Sequence, residues 1–241
     1  MAIRLHKFGE IWGLADPSPF CLKVESFLKE VSIPYQSVPF DPMRSFSRAP
    51  KGKLPFIEDE DGTRIGDSTL IIAWLCRKHG IDPDGPLDAR QKSVSLAFRR
   101  MLDEHLYWVG VYFRWIDDAG WGVVRDVFFS DMPWAARSLI ATMQRRKFAA
   151  ALKVQGTGRH SREEICRLGQ DDMEALSQLL ATDAWFFGAD RPTLLDIWAH
   201  AFVGEIIIPP FDSPLKQATL QFGNLARHFH RLQARLYPPP P

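Results

Sequence analysis

Ser18-Pro19-Phe20-Cys21 brings a hydroxyl, a helix start and a thiol together in one short run. Proline suits the first position of a helix, where its missing N–H costs nothing. The residue before a proline is driven to extended backbone, as an N-cap requires. Ser18 is therefore predicted to cap a helix, beside the helix's free N–H groups. As a plain cap it accepts from the Cys21 N–H; as a site, its hydroxyl donates to a thiolate held at the positive helix end. Cys21 is third in that helix, and its Cβ tilts back toward the same end. Its own thiol could share that field and be reactive, or fill the core-facing stripe as a small apolar residue. Cys76 and Cys166 are far away, and no second cysteine follows Cys21 at the spacing of a CxxC dithiol.

Other residues invite chemistry with a plain structural reading beside it. Pro55 interrupts a strand pattern, which ordinarily marks an edge or a bulge. Asp67-Ser68 opens a helix, where free N–H groups bind carboxylates or are simply capped. Arg48, Lys51 and Lys53 form a basic loop that is either a carboxylate site or a solvated surface. His105, Trp108 and Tyr112 recur at helical spacing, as a pocket lining or as core. Arg159-His160 precedes a helix and reads as an anion contact or a surface loop. Asp196, shortly after Pro192, reads as a structural cap.

The elements that must position these groups alternate at first. Ala2 to Phe8 reads as a strand and Phe20 to Val31 as a helix, with apolar residues in the i, i+3/4, i+7 rhythm. Pro34 to Val38 is a second strand; Leu54 to Glu58 and Thr63 to Ile65 form a hairpin around Asp59-Glu60-Asp61-Gly62. A helix with Leu70, Ile71, Trp74 and Leu75 on one face follows. Asp41 to Pro50 carries no clear helix signal. Ile81 to Leu87 is rich in breakers and reads as a linker. Beyond it only helical periodicity is found. Ala97 to Phe113 reads as one long helix, Trp134 to Val154 as another. Ser161-Arg162-Glu163-Glu164 and Thr193-Leu194-Leu195-Asp196 are capping boxes opening two more, and Leu215 to Tyr237 is the last. The boundaries expected are 1–80 for an α/β domain, 81–88 for a linker and 89–241 for an all-α domain. The Pro238 to Pro241 tail cannot continue a helix and reads as a frayed terminus.

Composition bounds the function. The 241 residues are 46% hydrophobic and 24% charged, which suits a compact protein of one or two domains. With 30 basic and 29 acidic residues the net charge is +1, so neither a nucleic-acid footprint nor a polybasic membrane anchor is expected. Three sparse cysteines favour a reducing compartment, and no Cys/His cluster has zinc-ligand spacing. The N-terminus lacks an apolar secretory core, and no apolar run is long enough to span a bilayer. A cytoplasmic protein without a metal is the expectation.

In order along the chain, Ser18-Pro19-Phe20-Cys21-Leu22-Lys23-Val24, Lys51-Gly52-Lys53-Leu54-Pro55-Phe56-Ile57, Asp67-Ser68-Thr69-Leu70-Ile71-Ile72 and Arg191-Pro192-Thr193-Leu194-Leu195-Asp196 resemble motifs of the glutathione transferase superfamily. Glu104-His105-Leu106-Tyr107-Trp108 and Gln155 to Ser161 resemble stretches of its Fax/metaxin-like branch. The resemblance implies a thioredoxin-like α/β domain followed by an all-α domain, and glutathione as co-substrate, with no metal. By resemblance Ser18 donates to the glutathione thiolate, a cis Leu54-Pro55 bond lets Leu54 pair with the cysteinyl unit, and Asp67 and Ser68 take the γ-glutamyl ammonium and carboxylate. Lys53, Arg48 and Lys51 are then candidates for the glycine carboxylate. Trp12, His105, Trp108 and Tyr112 would line the pocket of a small hydrophobic electrophile. The first tyrosine, Tyr35, comes too late to be the activator, which leaves Ser18 or Cys21.

Lowering a thiol from about 8.5 to about 6.5 needs roughly 2.7 kcal/mol. A hydrogen bond to a charged group supplies about 1.5–3 kcal/mol, and a helix N-terminus about 0.3–1 kcal/mol more, so no general base is required. The resemblance further implies a homodimer. Two other functions stay open: glutathione-dependent thiol exchange at Cys21, and a non-enzymatic binding or scaffold role of the Fax/metaxin type. The long Gly9 to Pro17 loop, in which Trp12 could fold over the glutathione site, speaks for the latter.

Overall fold

A computed structural model of the chain describes residues 2–41, 44–130 and 132–238. The first half of the fold is built on a four-stranded sheet in the order β2-β1-β3-β4. Strand β1 (Ile3–His6) pairs parallel with β2 (Tyr35–Val38) and antiparallel with β3 (Phe56–Glu58), which pairs antiparallel with β4 (Arg64–Gly66). A parallel pair needs a crossover, and helix α1 (Pro19–Glu30) supplies it. A short helix α2 (Ser45–Arg48) and helix α3 (Ser68–His79) complete a thioredoxin-like unit. Helix α2 lies in the segment that shows no helix signal, because one helical turn is too short to set up a period.

The remainder is helical: α4 (Ala89–Met101), a π-helical turn (Leu102–Leu106), α5 (Tyr107–Trp115), α6 (Asp118–Phe128), α7 (Trp134–Gln155), α8 (Arg162–Leu180), α9 (Leu194–Ile207), α10 (Pro214–Gln221) and α11 (Gly223–Leu236). The single helix expected over 97–113 is thus a run from α4 to α5 with a π-turn inside it. The helix expected over 215–237 is two, broken at Phe222. Helix α6 was not expected, because Gly120 and Gly122 dilute its apolar pattern. Gly120 is required there: a Cβ would sit 2.0 Å from the Phe113 carbonyl oxygen, so only glycine lets α6 approach α5 this closely.

Helix α1 is the hinge of the packing. It lies against α3 within its own unit and against α9 across the interface. Apolar Leu22, Val24, Phe27 and Leu28 enter the common core, which also holds Trp198 and Phe202 of α9. Buried beside them are Lys23, Glu25 and Ser26, polar residues that must find partners. Glu25 takes Lys7 and the Tyr35 hydroxyl, and Ser26 lies within hydrogen-bond distance of His200 and Tyr237. Lys23 reaches Asp103 in the π-turn at 2.5 Å. Except for Pro238, the proline tail lies outside the described residues.

Candidate functional site

Ser18 occupies the N-cap position of α1 with extended backbone (φ −107°, ψ 123°), and Pro19 opens the helix, as their types dictate. The side chain, however, makes no capping hydrogen bond. It lies close enough to the Cys21 thiol to pull that thiol's pKa downward. Cys21 itself has no exposed surface. Burial pushes its thiol well above the ordinary value, and the neighbouring Asp16 carboxyl adds to the effect. A sealed, protonated thiol is a poor nucleophile. Cys21 packs with Ala49, Leu54 and Phe56 in a small apolar cluster.

That cluster brings the loop before β3 to the start of α1. The Leu54–Pro55 peptide bond is cis, and both residues are buried. The loop also borders the start of α3, since a Cβ on Gly66 would lie 3.5 Å from the Lys51 side chain. Asp67 caps α3: its Oδ1 accepts from the Thr69 and Leu70 N–H groups at 3.0 and 3.1 Å. Its backbone is left-handed in φ (81°) with ψ 119°, a conformation that costs an aspartate free energy. Such outliers cluster at ligand sites. Ser68, at the first helical position, is buried.

The basic candidates separate. Arg48 is drawn to Glu58 at 3.4 Å, in a cluster with Arg4 and Arg64, whereas Lys51 and Lys53 are exposed. The aromatic candidates separate as well. His105 Nδ1 lies 2.6 Å from Asp172 of α8. Tyr112 stands edge-on to Phe113, and burial raises its hydroxyl pKa. Trp108 stands edge-on to Tyr107. Trp12 stacks on Phe128 of α6, with the Arg114 guanidinium 5.8 Å from its ring.

The residues of α5 that touch the start of α1 are others. The Tyr107 ring lies 4.7 Å from that of Phe20, and Arg114 donates to the Pro17 carbonyl at 2.6 Å. Residues seven apart share a helix face, so one face of α5 meets the cap region. Asp16, fully buried, accepts from the N–H groups of Phe8, Gly9 and Ser18. Burial pushes its carboxyl up to about 7. Arg114 and Asp16 carry no motif, and Tyr107 falls in the Glu104–Trp108 stretch with no role assigned to it there; an acid two residues before a predicted cap is the one further local signal.

A thioredoxin-like sheet, a cis proline beside the start of α1, an acid-capped α3 and a following helical unit define a protein of glutathione transferase type. The comparisons agree. The model of the glutathione S-transferase N-terminal domain matches residues 19–120, and that of the C-terminal domain matches residues 169–232. An isoprene-epoxide–glutathione S-transferase from Rhodococcus sp. (strain AD45) is 33% identical over 86% of this chain and 88% of its own length. The chain belongs to the glutathione S-transferase family, and its relatives include the branch of Failed axon connections and the metaxins. Failed axon connections of Drosophila melanogaster is 35% identical over 98% of this chain, which spans 58% of that protein. Human metaxin-1 is 30% identical over 77% of this chain and 39% of its own. Among solved structures, a glutathione S-transferase from Methylobacterium radiotolerans, in complex with glutathione sulfonate, has a TM-score of 0.60 at 25% identity, covering 98% of this chain and 92% of that one. No described helix is long and apolar enough to cross a membrane.

Proposed function

We propose that the protein is a glutathione transferase in which Ser18 activates the thiol of glutathione. The thiol gives its proton to solvent, and the Ser18 hydroxyl donates to the sulfur anion left at the tip of α1. That sulfur forms a bond to an electrophilic carbon, and the leaving group departs with the electron pair of the bond that breaks. In this reading Leu54, before the cis proline, pairs with the cysteinyl unit. Ser68 takes the γ-glutamyl carboxylate at the start of α3, and Asp67 takes its ammonium. Both capping bonds of Asp67 fall on Oδ1, so Oδ2 is the oxygen for that contact. Lys53 and Lys51, being exposed, suit the glycine carboxylate better than Arg48, which is engaged with Glu58. The substrate is a small apolar electrophile, the protein acts as a homodimer in the cytoplasm, and Trp12, His105, Trp108 and Tyr112 remain the candidates for its pocket.

The observation that carries this reading is the Ser18 hydroxyl, which stands at the cap yet is not spent on the helix. Calorimetry with glutathione tests it. Binding at millimolar concentration or tighter is expected; no heat at that level removes the enzyme from consideration.

A scaffold role is the second reading, favoured by the 35% identity to Failed axon connections. Under it, glutathione neither binds nor turns over. Exchange at Cys21 is the least supported, because the sulfur has no exposed surface. Treatment with oxidised glutathione followed by mass spectrometry is expected to leave Cys21 unmodified.

A further inference from the structure

The peptide group between Pro17 and Ser18 is held at both ends. Its N–H donates to Asp16 Oδ1 at 2.9 Å, and its carbonyl accepts from Arg114 Nη1 at 2.6 Å. Each partner is anchored elsewhere. Asp16 Oδ2 accepts from the Phe8 and Gly9 N–H groups, just beyond β1. Arg114 Nη2 donates to the side chain and the carbonyl of Glu205 on α9, at 2.5 and 3.0 Å. One peptide therefore ties together the end of β1, the start of α1, and two helices of the helical unit.

The loop needs such an anchor. Between Gly9 and Pro17 the backbone pairs only at Ile11 and Leu14 among the described residues, so no strand ladder fixes where α1 begins. The plane of the Pro17–Ser18 peptide, with the Ser18 φ of −107°, sets the direction of the Ser18 Cα–Cβ bond, about which the hydroxyl turns. Hydrogen bonds weaken steeply as their angle closes, and a displacement of about 1 Å can cost on the order of 100-fold in rate.

Glu205 supports the same view. It is 7% exposed, and its Oε1 is buried with no hydrogen-bond partner. A hydrophobic pair of similar volume would hold two helices together as well or better than a buried ion pair. What such a pair could not do is aim a donor at a backbone carbonyl.

We propose that Arg114, held by Glu205, and Asp16 are positioning residues for the Ser18 hydroxyl, so that the helical unit sets the geometry of the thiol site. This rests on the function proposed for Ser18. The test uses the full-length protein and titrates the thiol of bound glutathione by its ultraviolet thiolate absorbance. The double variant Arg114→Met/Glu205→Gln removes both charges together, leaving neither buried alone. It is expected to raise the bound-thiol pKa by about one unit while leaving the affinity for S-methylglutathione within about twofold. Ser18→Ala is expected to raise the pKa at least as far. Adding the double variant to Ser18→Ala is expected to raise it no further, since the route from Arg114 to the sulfur runs through Ser18.

A wild-type pKa in the double variant, or a further rise on the Ser18→Ala background, overturns the positioning role while leaving Ser18 in place. An unchanged pKa in Ser18→Ala itself overturns the reading of Ser18, and this inference with it. Should the double variant not fold, Arg114→Lys carries the same test. Lysine keeps the charge beside Glu205 but lacks the fork that reaches both carbonyls, so a smaller rise of the same kind is expected, and no rise overturns the role.

Discussion

Helix α1 is gripped by the helical unit at its start and again at its middle, and the two grips differ in what they hold. In the middle, the ammonium of Lys23 has no exposed surface and meets Asp103. The same carboxylate accepts from Trp198 Nε1 at 3.0 Å and Thr69 Oγ1 at 3.4 Å, and Lys23 lies 4.3 Å over the Trp198 ring. Every group there is a side chain, and each is satisfied by the others. At the start, Arg114 and Asp16 hold backbone, and the half-buried Ser18 side chain between them makes no capping bond. A buried cation beside a buried carboxylate is thus no marker of a functional site. One such contact joins side chains across the interface, while the other also donates to the backbone carbonyl before Ser18.

Four measurements break or sharpen this contrast. Asp103→Ala leaves the Lys23 ammonium buried and alone, so denaturant unfolding is expected to show a loss of about 3–5 kcal/mol. A loss under about 1 kcal/mol would make the middle grip no more than a surface ion pair. Ser18→Ala is expected to change stability by less than about 0.5 kcal/mol, because no capping bond is lost. Its effect falls on the bound thiol, whose pKa is expected to rise by the equivalent of about 1.5–3 kcal/mol, or about one to two units.

The third measurement concerns Asp16, which faces Lys7, Glu205 and Cys21. Its folded carboxyl keeps a proton up to about 7, against an ordinary 3.8. Between those values the folded state binds more protons than the unfolded one, so this group lowers stability as pH rises. Burial holds His6 and His200 down to about 4, against an ordinary 6.5, and both raise stability with pH over that window. Asp16→Asn removes the contribution of Asp16 and leaves those of the two histidines in place. Its stability is expected to climb with pH more steeply than that of the wild type from about pH 4 to 6.5, by up to about 1.4 kcal/mol per unit. Parallel profiles would show that Asp16 titrates normally. The smallest effect belongs to Arg235→Ala, at the far end of α1, where Arg235 pairs with Glu30 on the surface at 2.7 Å. About 0–1 kcal/mol is expected by denaturation.

How far the sequence reads depends on distance along the chain. Ser18 at the cap, Pro19 at the first helical position and the boxes at Ser161–Glu164 and Thr193–Asp196 all follow from residues within one turn of each other. The motif order also identified the thioredoxin-like and helical halves and the family. The π-turn around Asp103 was invisible, because an altered hydrogen-bond step leaves an apolar stripe nearly unchanged. Arg114 and Glu205 are illegible in the sequence for another reason. Arg114 lies 97 positions from Pro17 and 91 from Glu205, and no local pattern relates them.

The sequence alone therefore determined where α1, α8 and α9 start and which family's order of motifs the chain carries, since backbone hydrogen bonding and capping act over a few residues. Only the tertiary structure decided that the Cys21 thiol is sealed and that the Ser18 hydroxyl leaves its own helix uncapped. It also decided that two distant helices aim a guanidinium at the peptide before Ser18. Those outcomes depend on how α5 and α9 pack against α1, where burial changes the energy of charges and thiols that look alike in the linear chain.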